Sequence, residues 1–184
     1  MESTSDMTRE FTLGFLQDIT NNFSKEHIIG SGWYGVVYKC PLSINKRILT
    51  QGVLENGEEI AIKKLHNMVG LDDTQFRNEF NNLMRAQHQN ITRLVGYCYH
   101  QGHERMKYNG EYIFAHVEER VLCFEYLQGG SLDKYISDES RGLDWCTRYK
   151  NIKGVCEGLK KLPSQWIQRP YLSYGLKTSK YIVG

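Results

Sequence analysis

At 184 residues, with 40% apolar and 24% charged side chains, the chain has room for one domain with a proper core, or a small domain plus part of another. Its net charge of +2 supplies no general attraction to nucleic acid or an anionic membrane. No run approaches the ~20 apolar residues of a transmembrane segment, and the polar, mixed-charge start (1–10) has no apolar signal-peptide core, so a disordered N-terminus and a cytoplasmic protein are expected.

In chain order, Thr12 to Phe23 reads as a short helix with Leu13, Leu16 and Ile19 or Thr20 near one face. His27 to Ile29 and Val36 to Tyr38 are apolar runs around a glycine-rich turn, the pattern of a hairpin. Glu59 to Leu65 is a further strand, preceded by the turn signal Asn56-Gly57. Asp72 or Asp73 caps a helix whose apolar face is Phe76, Phe80, Leu83 and Met84. Ile91 to Tyr99 and Arg120 to Leu127 are two more strands, and Asn109-Gly110 between them predicts an extra exposed hairpin. From Asp144, Trp145, Tyr149, Ile152, Cys156 and Leu159 fall at helical spacing. The order predicts an α+β fold, a mostly antiparallel sheet carrying one packed helix. The five cysteines contain no C-x-x-C pair and sit among apolar or aromatic neighbours, so buried, reduced thiols are expected.

Gly30-Ser31-Gly32-Trp33-Tyr34-Gly35-Val36-Val37 fits the pattern G-x-G-x-x-G-x-V, in which glycines let backbone N–H groups approach phosphate oxygens. A glycine-rich hairpin turn explains the same run. Ile60-Ala61-Ile62-Lys63 then sets a lysine in an apolar strand, where its ammonium needs an anion because an unpaired buried charge costs several kcal/mol. Lys64 faces the other side, towards solvent. Glu79, mid-helix, is the natural carboxylate partner of Lys63, although a solvated helix glutamate accounts for it as well.

Taken in order, these segments resemble the plant receptor-like Ser/Thr protein kinase family. Also matching are Phe23-Ser24, Asn78-Glu79-Phe80, His88-Gln89-Asn90-Ile91, Leu94-Val95-Gly96-Tyr97-Cys98, Cys123-Phe124-Glu125-Tyr126-Leu127 and Gly130-Ser131-Leu132-Asp133. The resemblance covers about Phe11 to Leu159. It implies a kinase-like small lobe over 11–127, interrupted by an insert at 40–51, and the first helices of an incomplete large lobe over 128–162. It also implies that Gly30, Gly32, Gly35 and Val37 cover ATP, with Ala61 against the adenine. Lys63 would hold the α- and β-phosphates and pair with Glu79. Phe124 would close the back of the adenine pocket, and Glu125 and Leu127 would offer backbone groups to its edge. Asp133 is similar to an acidic position near the pocket mouth, or is a helix-surface aspartate.

The chemistry of that family also needs a catalytic-loop aspartate, an asparagine beside it and a D-F-G aspartate for Mg²⁺. No H-R-D, D-F-G or A-P-E occurs, and Glu157 is the last acidic residue, followed by Lys160, Lys161, Arg169, Lys177 and Lys180. The Mg²⁺ site is expected to be absent, ATP binding weak if it occurs, and the chain inactive. Back-translated with permitted codons and read from the second base, Lys161 to Gly184 gives N-Y-L-H-N-G-S-K-D-P-I-Y-H-M-D-L-K-P-A-N-I-L-L, the segment the family carries there. A net one-base insertion near Lys160-Lys161 therefore accounts for a frameshifted tail over 163–184. Removing Cys40 to Gln51 restores the family's usual continuation, and retained intron sequence would explain the insert. Three functions stay open: an inactive module that binds nucleotide or a full-length kinase's protein partners, a frameshift product without function, and an active Ser/Thr kinase.

Overall fold

A computed structural model of the chain describes residues 8–32, 34–40, 59–67, 73–130, 132, 135 and 142–162. Contacts divide the chain into two compact units, Met1–Gln75 with Leu94–Tyr126, and Phe76–Arg93 with Leu127–Gly184. The first unit holds β1 (Arg9–Glu10), α1 (Leu13–Ile19), β2 (Ile28–Gly32), β3 (Gly35–Lys39), β4 (Ile60–Leu65), β5 (Leu94–Tyr108) and β6 (Glu111–Glu125). Its six strands form one sheet in the order β1-β5-β6-β4-β3-β2, antiparallel except for the short β1–β5 pair.

α1 starts where the Phe15 N–H donates to the Thr12 hydroxyl (3.2 Å), satisfying one of the unpaired donors of a first turn. It stops at Ile19 rather than running on to Phe23. The buried Thr20 hydroxyl donates to the Leu16 carbonyl (2.7 Å) and accepts from the Phe23 N–H (2.9 Å), tying off the last turn. Asn21, Asn22 and Phe23 then take φ values of 50°, 54° and 55°, a left-handed run that is uncommon for a phenylalanine. Packing holds it: the Phe23 ring lies edge-on to Tyr38 (5.4 Å), with the Lys64 ammonium 4.6 Å from its centre.

Leu13, Leu16 and Ile19 recur every three residues, so they share one stripe of α1. They pack with Tyr38, Ile60, Ile62, Cys98, Val121 and Cys123 on one face of the sheet. Each fully buried aliphatic side chain there contributes ~1.5–3 kcal/mol. Because side chains alternate along a strand, the intervening residues of β3, β4 and β6 face the other way.

β5 and β6 are longer than the sequence suggests. The hairpin expected around Asn109-Gly110 is not a separate element. Opposed pairs run without interruption from Tyr97/Leu122 to Tyr108/Glu111, so the two inner strands and the hairpin form one continuous ribbon. Asn109 (φ 49°) and Gly110 (φ 89°) close it with the two positive-φ residues that a tight hairpin turn requires.

In the second unit, α2 (Asp73–Arg85, beginning in the first unit) buries Phe76 and Leu83 and half-buries Phe80 and Met84, the face expected from spacing. α3 (Trp145–Lys161) is capped by Asp144, whose carboxylate accepts from the Thr147 N–H (2.9 Å) and hydroxyl (2.8 Å). Those bonds hold the Asp144 carboxyl below its ordinary range. The helix ends at Leu162 in an extended conformation (ψ 139°), the one favoured before a proline such as Pro163. The buried face of α3 is Asn151, Gly154 and Gly158, and the Asn90 side-chain amide donates to the Gly154 carbonyl (2.9 Å). Trp145, Tyr149 and Ile152 of the apolar stripe stand exposed.

The cysteine expectation needs correcting. Cys40, Cys98 and Cys123 are buried and free, whereas Cys146 and Cys156 on α3 are exposed, because no element among the described residues covers them. The Asn56-Gly57 turn, the insert beyond Cys40, Asp133 and the tail from Pro163 lie outside the described residues. Among the described residues, no helix is long and apolar enough to cross a membrane.

Candidate nucleotide site

Register decides which residues of the first unit share a face, since residues directly opposed across an antiparallel ladder project to the same side. Gly30 opposes Val37, Val37 opposes Lys63, and Lys63 opposes Leu122. In the next row Lys39 opposes Ala61, and Ala61 opposes Phe124. Gly30, Val37, Ala61, Lys63 and Phe124, drawn from four strands, therefore lie in two adjacent rows on the face opposite α1. Gly32 opposes Gly35 at the turn end of the same face.

Lys63 is only 5% exposed, so its ammonium is held in a largely desolvated setting. Apolar neighbours in register, Val37 and Leu122, make that face low in dielectric and strengthen any anion contact the ammonium makes. The three glycines of the loop serve different ends. A methyl group added at Gly30 or Gly32 would meet nothing within 4 Å, so backbone there borders open space. One added at Gly35 would collide with the Lys64 carbonyl oxygen, so that glycine permits the close approach of β3 to β4. Bare backbone thus lies at Gly30, in the same row as the buried Lys63, and at Gly32, one row further towards the turn.

Other expected residues are distributed differently. Glu79 lies in α2, and its side chain is outside what the structure describes. Glu125 ends β6 opposite Ile60, and the next N–H, of Tyr126, donates to the Glu59 carbonyl (3.0 Å). The Leu127 carbonyl accepts from the Gly130 N–H (3.5 Å).

Lys64 does face the side opposite Lys63, but it is half-buried rather than fully solvated. It pairs with Glu119 (2.8 Å) and sits over Phe23, because the turn after α1 folds across it. Sequence reasoning also passed over Lys39. It pairs with Glu59 (2.9 Å), lies 4.3 Å from the centre of the Tyr126 ring, and its pKa is raised, first by the bond to Glu59. With the Cys40 N–H donating to the Ile60 carbonyl (3.1 Å), that pair closes the base of the segment joining β3 to β4. No local sequence signal marks this pair, whose partners lie on either side of the long segment joining the two strands.

The buried thiols lie under α1, on the other face. Burial pushes Cys40 and Cys98 up to about 11 and raises Cys123 further. They are inert packing groups at neutral pH.

Comparison with known proteins identifies the family and the fold. The family model "Protein tyrosine and serine/threonine kinase" matches residues 23–167. Cysteine-rich receptor-like protein kinase 41 of Arabidopsis thaliana is 40% identical over 142 residues, 76% of this chain and 17% of that protein. Cysteine-rich receptor-like protein kinase 44 of the same plant is 38% identical over 142 residues, covering 30% of its length. Among solved structures, the pseudokinase domain of BIR2, an immune regulator of the RLK/Pelle family, is similar at a TM-score of 0.52 and 29% identity, over 80% of this chain and 36% of that one. The sheet with its helices is thus a kinase small lobe followed by part of a large lobe, and the chain spans less than a third of those curated relatives' length. By the extent of these matches, the chain belongs to the protein tyrosine and serine/threonine kinase family.

Proposed function

We propose that this chain is a kinase-family module that binds nucleotide weakly through its sheet face and does not transfer phosphate. The observation carrying the reading is the gathering of Gly30, Val37, Ala61, Lys63 and Phe124 on one face, beside a glycine backbone that borders open space. ATP, when bound, supplies the phosphoryl group. The protein's share is to give Lys63 and loop N–H groups to phosphate oxygens, with Ala61 and Phe124 against the base. Glu79 would orient Lys63. Residues 158–184 contain no aspartate or glutamate that could hold Mg²⁺ or accept a hydroxyl proton.

The test pairs two measurements on the full chain. ATP titration followed by fluorescence or calorimetry should show weak, saturable binding, nearly independent of Mg²⁺ and lost in Lys63→Met. Incubation with labelled ATP, Mg²⁺ and a generic substrate should incorporate nothing. Lys63-dependent incorporation would establish an active kinase, and no binding at all would favour a product without function. The exposed Trp145, Tyr149 and Ile152 stripe supports that last reading, since such a face invites chaperones or aggregation.

A further inference from the structure

Beyond Tyr97, β5 is paired with β6 alone among the described residues, its other edge meeting no described strand, and β4 accompanies β6 only as far as Val121. The outer half of the ribbon therefore projects as a two-stranded arm with an open β5 edge. Its two faces differ in charge. On one face β5 presents His103, Arg105 and Lys107, and the opposed residues of β6 are His116, Phe114 and Tyr112. On the other, β5 presents Glu104, Met106 and Tyr108 opposite Ala115, Ile113 and Glu111. Phe114 is 75% exposed and Tyr112 62%. The Arg105 guanidinium rests 4.0 Å from the centre of the Tyr112 ring, a contact that fixes the cation without consuming its charge.

We propose that the open edge of β5 between Gln101 and Tyr108 is a docking site for an extended peptide that alternates acidic and apolar residues. Such a peptide adds as a further strand and takes ladder hydrogen bonds from the unpaired edge. Period-two alternation then puts its carboxylates beside His103, Arg105 and Lys107, and its apolar residues beside Met106 and Tyr108 on the reverse face.

Charge selects this occupant over others. Two copies of the chain joined antiparallel about Met106 of this edge would oppose Arg105 of each to Lys107 of the other, and like charges directly opposite are destabilising. Each arm face measures only ~270 Å² from strand spacing and rise, far below the ~800 Å² per partner of a stable dimer. The basic face carries only two full cations, Arg105 and Lys107, so an anionic bilayer gains little. The proposal stands apart from the nucleotide site, since it uses neither Lys63 nor the glycine loop.

The probe is a fluorescein-labelled octapeptide of alternating glutamate and valine, titrated against the full chain by anisotropy. Saturable one-to-one binding is expected, weakened by salt and about tenfold weaker when glutamine replaces glutamate. Arg105→Glu with Lys107→Glu should cost a similar factor, while Glu104→Lys with Glu111→Lys on the reverse face should keep binding. N-methylation of alternate peptide bonds should abolish it, because the ladder bonds are lost. That arm and the salt series need only the unmodified protein, so they decide the matter even if a variant fails to fold. Equal binding of the N-methylated or glutamine peptide would overturn the proposal, as would no binding at all, in which case the charges only guard the edge against pairing. Displacement of the peptide by phosphatidylserine vesicles or oligouridylate, or self-association through this edge in sedimentation, would also overturn it.

Discussion

Gly32 and Gly35 oppose each other across the β2–β3 turn, yet only one of them is required by packing. Gly35→Ala drives a methyl group into the Lys64 carbonyl and should cost ~1–3 kcal/mol, the usual penalty of overpacking. Gly32→Ala meets open space and should leave stability within about 0.5 kcal/mol while weakening nucleotide binding. Urea unfolding of both variants checks the contrast, and equal losses would contradict it. The buried thiols allow a second test. Their pKa values are raised on folding, so native protein holds protons that the unfolded chain releases above about 9. Their contribution is complete below that pH and is lost as pH rises towards about 11, where Cys40 and Cys98 titrate. Stability should thus fall in alkali, and less steeply in Cys98→Ala after allowing for lost packing. At pH 8 a thiol reagent should label Cys146 and Cys156 rapidly and the three core cysteines only on unfolding.

At the level of elements, α1 and its left-handed exit fix how β2 enters the sheet. The Thr20 hydroxyl is the fastener, with one bond back to Leu16 and one forward to Phe23. Thr20→Val keeps the shape but strands the Phe23 N–H, at a cost of about 1–3 kcal/mol for a buried unsatisfied donor. If urea midpoints of Thr20→Val and the parent coincide, the fastener has no energetic role. The Lys39–Glu59 pair and the Cys40–Ile60 bond play the matching part for the long β3–β4 connection. With its base closed this way, the connection's length is a minor term, about 0.6 kcal/mol per doubling.

For the whole molecule, the two units carry different burdens. The first has a contiguous core between α1 and the sheet, while α3 in the second buries two glycines and an asparagine and leaves aromatic surface in water. Truncation after Leu162 should leave thermal stability within about 0.5 kcal/mol, because the tail residues follow neither a period of two nor one of 3.6. Truncation after Leu127 removes Trp145, Tyr149 and Ile152 and should raise solubility. It also strips Asn90 of its Gly154 partner, so hydrogen exchange around Asn90 should accelerate. If loss of the tail alone unfolds the protein, the frameshift account of 163–184 is wrong.

The sequence by itself determined the family and the α+β order of elements, and it nominated the candidate site residues. Glycine spacing, one lysine in an apolar strand and the apolar period of α2 are local signals, each legible within a few residues. Register was not legible, because pairing between strands distant in the chain depends on contacts that no single window contains. Tertiary structure alone therefore merged the Asn109-Gly110 hairpin with β5 and β6, and so created an arm with a basic and an acidic face. It also separated Gly35 from Gly30 and Gly32 in role, since a collision with the Lys64 carbonyl exists only once β3 and β4 are side by side. Lys64 and the α3 cysteines were misjudged for the same reason: what covers a side chain is decided by elements elsewhere in the sequence, and composition around a residue does not report them.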